Sequence, residues 1–151
     1  MTRDGAPRAR EFAPNPRISF EVGDGASLAM IPDASADLVL SFTVFQHIPH
    51  VWVTERYIAE AGRVLRPGGI LVFQWNNSPG AVRWALRREV LSLLRRAGLG
   101  LERFDRHAPA FLGSRVPLSR IRRSLEGAGL ALRGTRGLDT LFAWAWAERV
   151  S

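Results

Sequence analysis

The sequence predicts an α/β fold in which parallel strands are joined through a helix and a C-terminal antiparallel hairpin closes the chain. Three observations carry this prediction. Leu38 to Phe42 and Ile70 to Phe73 are unbroken apolar runs of strand length, as strands buried on both faces require. Between them Val53, Tyr57, Ala61, Val64 and Leu65 recur at helical spacing. The tail alternates strictly, with Phe142, Trp144 and Trp146 on one side and Leu141, Ala143, Ala145 and Ala147 on the other.

Composition bounds the rest. A chain of 151 residues fits one domain. Its N-terminal arm, residues 1–16, is polar and rich in Arg, Ala and Pro, without the apolar core of a secretory signal, and no apolar run approaches the ~20 residues that span a bilayer. A soluble, cytoplasmic protein with no membrane segment is the expectation. With no Cys, disulfides, thiolate metal sites and cysteine nucleophiles are excluded. The net charge is +7, and all 21 basic residues are Arg. Arginine's own high pKa accounts for part of the basicity, so nucleic acid is an unfavoured partner.

The elements follow in order. Ala9 to Phe12 reads as the remnant of a helix broken by Pro14-Asn15-Pro16, and residues 17–151 as the folded unit. Arg17 to Val22 alternates as an edge strand does and runs into Gly23-Asp24-Gly25. This Gly-x-Gly is not a dinucleotide fingerprint, because only Ala26 to Ile31 is available for a helix before Pro32 and Asp37 stands at the start of the next strand, not its end. On residue chemistry alone Asp24 is a turn residue between two glycines.

The loop Ser41 to His50 follows the first apolar strand at its C-terminal end, where open α/β sheets bind ligands. Phe42, Thr43 and His47 are its pocket candidates. His47 either acts near neutral pH as a base or substrate-orienting group, or caps the loop by bonding to backbone.

Arg66-Pro67 stops the helix and Gly68-Gly69 turns the chain into the second strand. After Trp75-Asn76-Asn77, Ser78-Pro79 starts a helix ending at Gly98, whose face of Arg83, Arg87, Arg88, Arg95 and Arg96 is either solvated or a site for an acidic partner. A long loop from Gly100 to Val116 precedes a short helix capped by Ser119, with Ile121, Leu125 and Ala128 inward. Leu130 to Arg136 pairs with the alternating tail as a hairpin, and the tryptophan stripe is expected to lie in the core under a helix.

Taken together, Asp-Leu-Val-Leu-Ser at 37–41, His47-Ile48-Pro49, and Arg63-Val64-Leu65-Arg66-Pro67-Gly68-Gly69 before a strand resemble the fourth strand, fourth helix and fifth strand of the class I S-adenosylmethionine-dependent methyltransferases. The resemblance implies a Rossmann-like sheet that lacks the family's glycine-rich N-terminal half: residues 17–151 correspond to the C-terminal part of the domain.

It implies S-adenosylmethionine as cofactor and a small-molecule methyl acceptor. It also places Asp24 with the backbone at Gly25 and Ala26 against adenine, at the end of the family's third strand, and Phe42, Thr43 and His47 around the cofactor pocket. Catalytic residues stay unassigned, no metal is implied, and the chain alone is expected to be a weak methyltransferase or a non-catalytic interaction module. The strand Leu38 to Phe42 would then present an unpaired edge, inviting self-association or a partner chain.

Overall fold

The computed structural model describes Ala9, Glu11, residues 15–79 and residues 113–150. Strand β1 (Ala36–Ser41) is followed by a single 3-10 turn at Phe45–His47, helix α1 (Val51–Val64) and strand β2 (Leu65–Trp75); helix α2 (Leu118–Gly127), strand β3 (Leu130–Arg136) and strand β4 (Ala143–Arg149) complete the order. The sheet order is β1-β2-β4-β3, with β1 and β2 parallel and both other pairings antiparallel. The parallel unit and terminal hairpin are those expected.

Helix α1 ends where Pro67 forbids continuation: its last turn is closed by the Leu65 N–H on the Ala61 carbonyl, and Leu65 already has extended backbone. The ladder registers Ala36 with Leu65 and then Leu38 with Ile70, so Arg66-Pro67-Gly68-Gly69 bulges out of β2. Gly68, at φ 79°, takes the left-handed backbone this excursion needs.

One face of the sheet holds the core. Leu71, Phe73 and Trp75 of β2, with Ala143, Ala145 and Ala147 of β4, pack beneath Ile58 and Ala61 of α1 and Ile121 and Leu125 of α2, all fully or nearly fully buried. Alanine on β4 leaves room for the two helices to approach. Gly62 serves the same purpose between them, since the place of a β-carbon there is filled by the Ala128 carbonyl.

The opposite face differs from expectation. Phe142 and Trp146 are exposed and Trp144 is only half-buried, so the tryptophan stripe lies outside the helix-covered core. Strand alternation forces the choice: once the small alanines admit the helices, the tryptophans must point away. Across β1 the same face carries Leu38, Leu40 and, just beyond the strand, Phe42, all more than half exposed. Among the described residues no strand pairs with the outer edge of β1.

Two further expectations fail. Arg17 to Val22 forms no strand, and Ile18 and Val22 are exposed. An extended segment needs a neighbouring ladder to satisfy its backbone, and among the described residues no strand pairs with this one; Asn15 instead draws Arg17 and Ile18 into a local turn through its side chain and carbonyl. Ser119 does not cap α2, whose N-cap is Pro117 with no side-chain bond, because the helix starts at Leu118 and takes Ser119 inside it. Of the N-terminal arm, Ala9 and Glu11 are helical. The expected helix from Ser78-Pro79 to Gly98 beyond its first residues, its arginine face, and the loop up to residue 112 lie outside the described residues. Among those described, no helix is long and apolar enough to cross a membrane.

Candidate functional site

The candidate residues fall in two loops, each of which contacts α1. The first begins at Asp24. Its Oδ1 accepts from the Ala26 N–H at 2.8 Å and the Ser27 N–H at 2.7 Å, and its Oδ2 accepts from the Ser27 hydroxyl at 2.7 Å. These donors, first the Ala26 N–H, then the Ser27 hydroxyl and N–H, bring the Asp24 carboxyl down to about 2. The turn character of Asp24 is thus realised, and the Ala26 N–H is committed inside the loop. Gly25 sits at φ 83° with open space where a side chain would be, and its N–H has no partner among the described residues.

With no strand behind it, the loop is anchored from α1. Glu60 Oε2 accepts from the Leu28 N–H at 2.9 Å, while Arg63 Nη2 donates to the Leu28 carbonyl at 2.9 Å and Nη1 to the Ile31 carbonyl at 3.0 Å. Arg63 also ion-pairs with Asp33 and Glu60. Its guanidinium, followed by the Leu28 N–H, pulls the Glu60 carboxyl below the usual carboxylate range. Below this clamp the chain continues into β1 through bonds from the Ala34 and Ser35 N–H groups to the carbonyls of Arg63 and Val64.

The second loop leaves the C-terminal end of β1. Phe42 is exposed and stacks on Trp144, ring centroids 5.7 Å apart. Thr43 takes φ 56° and donates its hydroxyl to the Phe42 carbonyl at 2.8 Å, leaving lone pairs but no free proton. His47 is exposed at the end of the 3-10 turn, with the Gln46 amide donating to its Nε2 at 3.2 Å. The Gly113 N–H on the Gln46 carbonyl (2.6 Å) and the Ser114 N–H on the Ile48 carbonyl (2.9 Å) brace the turn; the Val116 N–H, bound to the Asn76 carbonyl, ties the same segment to the end of β2. A β-carbon at Gly113 would collide with the backbone of His47 and Ile48.

Tyr57 links the two loops. Its ring stacks on Phe45 at 5.9 Å, and its hydroxyl pKa is raised first by burial and then by the Asp24 charge. Sequence periodicity had assigned Tyr57 to the apolar stripe of the helix; only its phenol marks it as more. Among the described residues, the buried polar atoms Ser41 Oγ, Gln46 Oε1 and Gln74 Oε1 have no partner. They lie at or between the C-terminal ends of β1 and β2, where a ligand is expected in an open α/β sheet.

The residues present suit the adenine end of a nucleoside. Asp24 has two carboxylate oxygens with about four acceptor directions between them; its own loop uses three donors, and the Gly25 N–H beside it stands ready to donate. An acceptor next to a donor matches the amino group and adjoining ring nitrogen of adenine. Ala26 offers its carbonyl and shape, not its N–H.

Comparison with known proteins finds methyltransferases. A family profile described as a methyltransferase domain matches residues 2–73. A probable S-adenosylmethionine-dependent methyltransferase of Mycolicibacterium smegmatis is 38% identical over 81 residues, which are 51% of this chain and 30% of the relative's length. The fold is similar to that of an S-adenosylmethionine-dependent methyltransferase of Methanosarcina mazei, with TM-score 0.63, 16% identity, and coverage of 98% of this chain and 78% of the other. It is similar too to a Burkholderia thailandensis 1,6-didemethyltoxoflavin-N1-methyltransferase solved with bound 1,6-didemethyltoxoflavin and S-adenosylhomocysteine, with TM-score 0.58, 16% identity, and coverage of 97% of this chain and 56% of the other.

Proposed function

We propose that the chain is a member of the class I S-adenosylmethionine-dependent methyltransferases, which the matching methyltransferase-domain profile and the similar relative support, and that it takes part in methyl transfer from S-adenosylmethionine to a small-molecule acceptor. The observation that supports this most directly is the Asp24-Gly25 corner, an acceptor and an uncommitted donor held side by side over α1. The cofactor, when bound, supplies a methyl group made electrophilic by a sulfonium.

The residues of this chain bind and orient. Asp24 and Gly25 take the adenine edge, with Ala26 shaping the loop beside it; Phe42, Thr43 and His47 line the pocket at the end of β1. The buried acceptors of Gln46 and Gln74 favour an acceptor molecule carrying N–H or O–H groups, which would satisfy them. Holding donor and nucleophile in line is the main contribution such a site makes to rate. Since Asp24 to Ala26 furnish only the adenine side, cofactor affinity and activity of the chain alone are expected to be weak.

Titration calorimetry with S-adenosylhomocysteine tests the reading. Binding that weakens on the order of tenfold in Asp24→Ala, as loss of a hydrogen bond predicts, supports it; binding indifferent to Asp24 sinks the assignment. A second reading, a non-catalytic interaction module, is favoured by the exposed apolar face and open edge at Leu38, Leu40 and Phe42. It predicts a stable complex with a second chain and no nucleoside binding.

A further inference from the structure

We infer that Glu60 and Arg63 are positioning residues for nucleoside recognition: from α1 they set the conformation in which Asp24 and Gly25 can read an adenine edge. The inference rests on the cofactor reading above and adds residues to it that touch no ligand themselves.

The argument follows a continuous path of bonds. Both backbone groups of Leu28 are held from α1, its N–H by the Glu60 carboxylate and its carbonyl by the Arg63 guanidinium. Arg63 holds Ile31 and Asp33 as well, so one planar fork spans the loop at several points. Leu28 follows Ser27, whose N–H and hydroxyl both bind the Asp24 carboxylate. The orientation of Asp24 therefore passes through Ser27 and Leu28 to the helix.

Among the described residues the loop is also tied by backbone bonds: the Ile31 N–H on the Leu28 carbonyl within it, and the Ala34 and Ser35 N–H groups on the carbonyls of Arg63 and Val64 after it. The preceding segment, Arg17 to Val22, is not in the sheet, and β1 begins only at Ala36. A residue in the sheet would fix Asp24 through its backbone ladder; here side chains thirty or more positions away in sequence do so. The Glu60–Arg63 pair is also internally coupled by bonds of 2.9 and 3.1 Å, so each partner holds the other in its working rotamer.

The test compares adenosine with inosine, which replaces the amino donor of adenine by a carbonyl and protonates the adjoining ring nitrogen. The full chain, Arg63→Ala, Arg63→Lys and Glu60→Gln are titrated with both nucleosides and with S-adenosylhomocysteine, and thermal midpoints and amide exchange at Ser27 and Leu28 are recorded. Wild type is expected to prefer adenosine. Arg63→Ala should lose on the order of tenfold in adenosine affinity, narrow the adenosine–inosine preference, and speed exchange at Ser27 and Leu28. Its melting should stay close to wild type.

Arg63→Lys, whose ammonium cannot span the same carbonyls as a fork, should fall between them. Should Arg63→Ala fail to fold, Glu60→Gln, which keeps an acceptor for Leu28, supplies the same comparison. An unchanged nucleoside preference in folded variants of a wild type that binds adenosine would overturn the inference while leaving the function intact. A wild type that binds neither nucleoside nor S-adenosylhomocysteine would overturn the cofactor reading and this inference with it.

Discussion

The two faces of the one sheet are written in the same apolar alphabet and end in opposite environments. On the covered face, Leu71, Phe73 and Trp75 meet α1 and α2 and are entirely excluded from water. On the other, Leu38, Leu40, Phe42 and Trp146 remain exposed, although β1 is as hydrophobic as β2. Hydrophobicity thus selects strands but does not say which face finds a partner; that depends on side-chain size. Alanines on β4 admit two helices, whereas tryptophans on the reverse would hold them off. Burial of a large side chain stabilises by about 1.5–3 kcal/mol, so folding energy is concentrated on one face and the potential for association on the other.

The largest expected effect tests that concentration. Trp75→Ala removes a fully buried indole packed on Phe73 at a centroid distance of 5.5 Å, and should cost about 3–5 kcal/mol in denaturant unfolding. Trp75→Phe keeps most of the packing and loses the 2.9 Å bond from the indole N–H to the Val116 carbonyl. The Asn77 amide, turned so that its nitrogen faces the same carbonyl at 3.2 Å, leaves that oxygen partnered, so a loss of only about 1 kcal/mol is expected for the missing bond. Equal losses in the two variants would show that the bond, not the packing, dominates.

Next in size is one substitution placed on each face. Gly62→Ala drives a methyl group into the Ala128 carbonyl between α1 and α2, where neither backbone can yield cheaply; about 1–3 kcal/mol of destabilisation follows from overpacking. Gly134→Ala meets the Trp146 ring instead, and that ring, 39% exposed, has solvent to move into. Its cost should stay below about 1 kcal/mol. A reversal of this order, measured by thermal or urea unfolding, would mean that something holds Trp146 as firmly as the core holds Ala128.

The bare face gives a smaller effect on stability and a clearer one on assembly. Leu40→Lys on the unpaired edge strand replaces a side chain that is 61% exposed, so unfolding should shift within about 0.5 kcal/mol. A charge on a free edge opposes strand pairing between molecules. If the chain self-associates through β1, sedimentation should show the variant shifted to monomer; undiminished association would place the contact elsewhere.

How far the sequence disclosed this molecule follows from the range of the forces involved. The strand-helix-strand unit was legible in Leu38 to Phe73 because periodicity and the Arg-Pro-Gly-Gly stop act locally, and the hairpin was legible in the alternation of its second strand. Arg17 to Val22 misled for the converse reason: it has the alternation of a strand, yet among the described residues no strand pairs with it. The tryptophan stripe misled because alternation shows that two faces differ, not which one is covered.

At the candidate site, Asp24 and the end of β1 were marked by glycines and by position after a strand. Tyr57, Glu60 and Arg63 were hidden among ordinary helix residues. The contacts of Glu60 and Arg63 reach back some thirty positions to backbone groups, and no local pattern encodes such a bond.

The smallest effect concerns Asp24 itself and gives the most direct view of the loop. Its carboxyl lies near 2 in the folded chain against 3.8 for a free aspartate, held down first by the Ala26 N–H and then by the Ser27 hydroxyl and N–H. A depressed folded pKa contributes stability that is fully present above the unfolded value and disappears as pH falls through the folded one. The loop should therefore stay closed above pH 3.8 and loosen only as pH descends toward 2.

A carboxyl-detected NMR titration, run with amide exchange at Ala26 and Ser27, should give that midpoint and accelerated exchange below it. Ser27→Ala removes the hydroxyl donor and leaves both backbone donors, so the midpoint should rise while staying below 3.8. A wild-type midpoint at 3.8 would mean that the loop is open in solution, and Asp24 would then meet a nucleoside as a free carboxylate instead of a preset one.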